Sequence, residues 1–182
     1  MKRIILSTLV LALMVAVVGC GKPKKPDGLP DLQPVVLTVT QGTAPVANAV
    51  VILKATDSSA TNNFTCGGTT DEKGVATIVT HGQYKGAPVG KYKVAVTCVV
   101  GEGTPPPPNP MDEESARVWK EYHDAGLKWE EFHTVNPELS NVNTTTLEIE
   151  VVKGKNNLAV DCGEPVHIPV DNGSGASGAI EL

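Results

Sequence analysis

The sequence predicts an all-β fold, a seven-stranded two-sheet β-sandwich with one helical insert, on the strength of three observations. Apolar residues recur at every second position in short runs, the period of a half-buried strand. Clusters of Gly, Asn, Asp, Pro and Lys separate those runs, as turns between sandwich strands do. Helical periodicity occurs once, between the fifth and sixth strands, and never in the alternating βα order that a parallel sheet requires. Composition agrees: 41% of the chain is hydrophobic but only 4% is aromatic, so its apolar content rests on small and β-branched side chains that favour strands.

The first strand begins at Val35, where Val35, Leu37 and Val39 alternate with Val36, Thr38 and Thr40 before the turn Gln41-Gly42-Thr43-Ala44-Pro45. Ala49, Val51 and Leu53 share one face of the second strand, and Phe64 and Cys66 belong to a short third. Asp71-Glu72-Lys73-Gly74 is a turn, with glycine free to take positive φ. Val75, Thr77 and Val79 alternate with Ala76 and Ile78 in the fourth. Gly90 opens the fifth and clearest strand, whose inward set is Tyr92, Val94, Val96, Cys98 and Val100. Alternation resumes at Thr146–Val152 with Leu147, Ile149 and Val151 inward, and Lys153-Gly154-Lys155-Asn156 turns the chain into a closing hairpin with Asn157–Cys162.

Residues 101–140 interrupt this series. Gly101-Glu102-Gly103-Thr104 and Pro105–Pro108 predict a polyproline II spacer. Asn109 suits a helix cap, Pro110 the first turn, and Asp112, Glu113 and Glu114 the positive end of the macrodipole. A helix from about Pro110 to His133 is expected, with Val118, Trp119, Tyr122, Ala125, Trp129 and Phe132 on one stripe and Gly126 weakening or kinking its middle. The stripe is expected to pack on the sandwich, and Trp119, Tyr122, Trp129 and Phe132 are also the candidate contact surface for a partner.

The chain begins with Lys2 and Arg3 and an apolar run, Ile4–Val18, interrupted only by Ser7 and Thr8. It is too short for a comfortable membrane span and has the form of a secretory signal, residues 1–19. Its end, Val17-Val18-Gly19-Cys20, resembles the lipobox of bacterial lipoproteins. The resemblance implies cleavage before Cys20, acylation of that cysteine, and a membrane partner reached through lipid; two or three acyl chains hold a protein stably where one does so only marginally. Gly21 stands where an aspartate retains some lipoproteins in the inner membrane, so the resemblance favours the outer membrane of the cell envelope. Residues 20–34, with four prolines, are expected to be a flexible tether, 35–170 the domain, and 171–182 a flexible tail.

Removing residues 1–19 leaves 13 basic and 20 acidic side chains, a formal charge of −7. That acidic balance argues against a nucleic-acid partner, because phosphate binding needs clustered Lys and Arg. With Cys20 assigned to lipid, Cys66, Cys98 and Cys162 remain as three thiols, open to any of three disulfide pairings or to burial as small core residues.

Three ordered segments resemble the carboxypeptidase regulatory-like, transthyretin-type β-sandwich found in many bacterial envelope proteins. They are Gly42-Thr43-Ala44-Pro45-Val46-Ala47-Asn48-Ala49-Val50-Val51, Thr70-Asp71-Glu72-Lys73-Gly74-Val75-Ala76-Thr77-Ile78, and Gly90-Lys91-Tyr92-Lys93-Val94-Ala95-Val96. The closing segment, with Gly154-Lys155-Asn156, is similar to the end of small lipoproteins of this type. The resemblance implies a fold and an accessory role. Carboxypeptidase activity does not transfer, because no H-x-x-E or H-E-x-x-H surrounds His81, His123, His133 or His167.

No Gly-x-Ser-x-Gly, P-loop or paired catalytic motif occurs, so neither an enzyme nor a cofactor is expected. His123 and His133 lie ten residues apart, about 15 Å on a straight helix, too far to share a metal ion. The expected function is that of a non-catalytic envelope lipoprotein serving as a structural or protein-interaction module with an envelope protein partner. The alternative is a cell-surface carbohydrate-binding module.

Overall fold

The structure, a computed structural model, describes residues 28–56, 64–108 and 113–171. The signal segment, Cys20, most of the tether, the cap at Asn109 and the tail beyond Asp171 lie outside the described residues. Among the described residues the chain is mostly β, with one α-helix. The strands in order are β1 (Leu32–Gln33), β2 (Val35–Gln41), β3 (Ala44–Pro45), β4 (Val50–Ala55), β5 (Cys66–Thr69), β6 (Val75–Thr77), β7 (Val79–Thr80) and β8 (Tyr84–Lys85). After these come β9 (Ala87–Pro88), β10 (Gly90–Thr97), β11 (Val99–Gly103), helix α1 (Glu113–Asp124), β12 (Trp129–His133), β13 (Glu148–Val151), β14 (Asn156–Asp161) and β15 (Ile168–Pro169).

Two sheets enclose the core. One runs β13-β10-β4-β5-β7-β8. In the other, β2 lies beside β14 and pairs on its far side with β3 and β6. Val35, Leu37 and Val39 of β2 and Val160 of β14 meet Val51 and Leu53 of β4 and Tyr92, Val94 and Val96 of β10 in one apolar cluster. Full burial of a Val or Leu side chain contributes about 1.5–3 kcal/mol, and each of β2's three inward residues is at most 1% exposed. Period-two patterning therefore fixes which face of each strand turns inward.

Local chemistry sets the turns. Asp71 Oδ1 accepts from Lys73 N and Val75 N, both at 2.9 Å, and Gly74 takes φ 72°, where a Cβ would run into the Val39 carbonyl. Thr70, buried at 3% exposure, accepts from Ala49 N at 2.8 Å and donates to Val46 O at 2.7 Å, tying the turn before β4 to the end of β5.

Four expectations are corrected. The closing segment is not a hairpin: β13 pairs antiparallel with β10, whereas β14 pairs parallel with β2, so the chain crosses from one sheet to the other at 152–155. Asn156 holds that crossing. Its side chain accepts from Val152 N at 2.9 Å and donates to Val152 O and Gly154 O at 2.9 Å each. The fifth strand breaks at Cys98, and Val100 is exposed, because β11 leaves the core to join a separate sheet, β11-β12-β15. Gly101-Glu102-Gly103 is strand and not spacer, opposite Glu131, Glu130 and Trp129. Helix α1 ends at Asp124, and Trp129–His133 is a strand.

Candidate functional site

Residues 104–128 leave the β11-β12 ribbon at Gly103 and return at Trp129, which face each other in register. Gly103 has φ 99°, and a Cβ there would strike the Lys128 carbonyl, so glycine permits the close crossing at this neck. Over Gly101 lies the indole of Trp129, in the space that any side chain would fill. Trp129 thus covers a bare stretch of β11.

Gly126 ends α1 and does not kink its middle. Its φ is 66°, Gly126 N donates to His123 O at 2.9 Å, and Leu127 N donates to Tyr122 O at 3.2 Å. This pair of bonds is a Schellman termination, and the apolar residue after the glycine packs back toward the last turn. Leu127 and Tyr122 accordingly line one cleft together with Pro105 and Pro107.

The aromatic stripe does not pack on the sandwich. No residue of α1 is buried. Trp119 Nε1 donates to Pro108 O at 2.8 Å and Tyr122 Oη to Thr104 O at 2.7 Å, so the helix clasps its own proline run. Rings of Trp119, Tyr122 and His123 lie 5.6–6.2 Å apart. The far side of this cluster opens on a cleft of about 690 Å³ lined by Pro106, Tyr122, His123, Lys128, Trp129 and Glu130. Both apolar ring surface and charged side chains face it.

Of the four aromatic residues expected on one surface, Trp119, Tyr122 and Trp129 belong to the insert and its neck. Phe132 does not. Strand alternation turns it away from Trp129, it is 8% exposed, and it stacks on His167 at 3.9 Å between ring centroids. His167 Nε2 in turn lies 2.9 Å from Glu102 Oε1. The clustering of Pro106, Lys128 and Glu130 with the aromatics escaped the sequence reading. The available indication was Gly126-Leu127, a helix stop that turns Trp-Glu-Glu-Phe-His into a period-two strand.

In this structure Cys66, Cys98 and Cys162 are all buried and unbridged. Burial raises the pKa of Cys66, partly offset by Thr80, whose Oγ1 lies 3.3 Å from the sulfur. Cys162 is pushed up to about 11 by burial first, then by Asp161 and Cys98. Among the described residues no group of three or more His, Cys, Asp or Glu side chains could hold a metal ion, and His123 and His133 sit on different elements. Among the same residues no helix is long and apolar enough to cross a membrane.

No family model and no curated protein matches the chain. Among solved structures, a 9R-lipoxygenase from Cyanothece PCC8801 matches at 11% identity and a TM-score of 0.31, across 88% of this chain. The match spans only 23% of that protein, and a likeness this low carries no argument about fold or activity.

Proposed function

We propose that this protein is a non-catalytic, lipid-anchored binding module of the cell envelope, whose β body holds the 104–128 insert out toward a protein partner. The body is read as a seven-stranded, transthyretin-type sandwich of the carboxypeptidase regulatory-like kind, tethered through Cys20 with the outer membrane favoured. One observation carries the contact assignment: α1 commits no side chain to the core, yet its Tyr122 and His123 line an open cleft together with Trp129. Aromatic rings with charged neighbours are the composition that protein interfaces favour at their centres and rims.

The test is photocrosslinking in intact cells. A photocrosslinking residue is placed at Val118 on the insert and, in a second protein, at Lys153 on the body. The expected result in intact cells is a discrete protein adduct from position 118 and none from 153. Equal adducts from both positions overturn the assignment. Membrane fractionation of wild type beside Cys20→Ala tests the anchor separately.

A second reading, carbohydrate binding, is supported by Tyr122 and Trp129 lining the same cleft as Lys128 and Glu130. Ring faces pack on sugars while flanking charged groups accept or donate to hydroxyls. A glycan array separates the two readings: binding lost in Trp129→Ala favours this one, and a blank array removes it.

A further inference from the structure

We propose that Cys98 and Cys162 are a disulfide pair, joined across the sandwich in the oxidised protein, with Cys66 left as a lone buried thiol. The register along two strands separates the three cysteines. Cys66 pairs with Leu53, whereas Thr97 pairs with Val50, which puts Cys98 level with Ala49. Four residues of strand, about 13 Å, therefore lie between Cys66 and Cys98. On β2, Cys66 belongs to the Val35 end, since it pairs with Thr80 in β7 and Ile78 N donates to Val35 O. Cys162 belongs to the other end, following Asp161 opposite Thr40, about 20 Å away along the strand.

Cys98 and Cys162 converge on that second end. Cys162 N donates to Thr40 O at 2.8 Å; the next residue, Gln41, donates from Nε2 to Thr134 O at 2.8 Å; and Thr134 N donates to Cys98 O at 3.0 Å. The Cys98 sulfur points to Ala47 O at 3.5 Å, beside Val46, whose N donates to Val39 O. Cys162 lies two residues beyond Val160, the partner of Val39, on the same inward face. Both side chains are 5% exposed and belong to one apolar cluster.

Closure proceeds by thiol–disulfide exchange with a low-molecular-weight disulfide. One cysteine thiolate attacks oxidised glutathione and expels one glutathione thiolate; the second cysteine then attacks the protein sulfur of that mixed disulfide and expels the other. Two protein thiols become one disulfide, and one oxidised glutathione becomes two reduced. Burial of both thiols makes this slow in the folded protein and fast during folding.

The test unfolds the full chain in denaturant with reductant, refolds it with oxidised glutathione, alkylates free thiols and maps the peptides. It needs no membrane and is independent of the lipid-anchor reading. The expected product has lost two hydrogens, links the Cys98 and Cys162 peptides, and carries the alkyl label on Cys66. Cys66→Ala retains the link, whereas Cys98→Ala and Cys162→Ala abolish it. A dominant bridge through Cys66 or Cys20, or full alkylation of all the thiols after oxidative refolding, overturns the pairing.

Discussion

Asn156→Ala is expected to destabilise the protein by about 3 kcal/mol, a large fraction of a typical domain's stability. Asn156 is 4% exposed and forms three side-chain bonds at 2.9 Å, to Val152 N, Val152 O and Gly154 O. Each net hydrogen bond contributes roughly 1 kcal/mol, and orphaned buried groups cost more. Val152 and Gly154 are exposed, so water can reach the abandoned backbone groups, which keeps the cost near the sum of the three net bonds. Urea unfolding followed by far-UV circular dichroism reads the effect, which corresponds to roughly 6–12 °C in the thermal midpoint of a domain this size. Asn156→Asp is the sharper comparison. It keeps an acceptor for Val152 N but presents a carboxylate oxygen to two carbonyls, so at neutral pH it should be no more stable than the alanine variant. Acidification protonates the introduced carboxyl and returns part of the loss. A cost below about 1 kcal/mol for alanine, or wild-type stability for aspartate, refutes the view that this side chain holds the crossing between sheets.

Gly101→Val should displace the Trp129 ring from β11, seen as a red shift of indole emission in a Trp119→Phe background; unchanged emission counts against the stacking. Trp119→Phe with Tyr122→Phe removes the donors to Pro108 and Thr104 and should speed proteolysis within 104–128, while the unfolding midpoint of the body moves by less than about 0.5 kcal/mol, since neither residue belongs to the core. In reduced protein, the raised pKa of Cys162 means that folding favours the protonated thiol. Its contribution is full below the ordinary value of 9.0 and is lost as pH rises through about 11, roughly 2–3 kcal/mol across that window, and Cys162→Ala should flatten this alkaline loss in urea titrations.

The inward faces of the core strands β2, β4 and β10 were legible in the sequence because the residues they bury recur at every second position. Val35, Leu37 and Val39, or Tyr92, Val94 and Val96, declare their side by parity alone, and all six are buried. Partners across the sheets were not legible: a parallel β14-β2 pairing and an antiparallel hairpin present the same local alternation at Asn157–Cys162. The helix boundary failed for a different reason. Trp129 and Phe132 continue the successive steps of three or four residues that run through Tyr122 and Ala125, yet the same letters fit a strand in Trp-Glu-Glu-Phe-His, and only the termination at Gly126-Leu127 decides between them. Gly101 has no side chain to announce what covers it. Aromatic residues could be picked out as candidates, but their attachment to Pro108 and Thr104 depends on backbone carbonyls that composition does not reveal.

The neck between Gly103 and Trp129 explains how one chain carries both a closed core and an uncommitted aromatic surface. Because these residues face each other across the β11-β12 ribbon, the insert departs and returns at adjacent points, and its folding closes on itself through the Trp119 and Tyr122 bonds. Phe132, by contrast, lies below the neck and is stacked and buried with His167, where it serves the body. A side chain can therefore change on the insert without opening a cavity among Leu37, Leu53 and Val94, which share no residue with it. Core packing transmits the loss of even one methylene, whereas a surface supported through two hydrogen bonds and a proline run does not. Freedom to vary without cost to the fold suits the recognition role proposed for the insert.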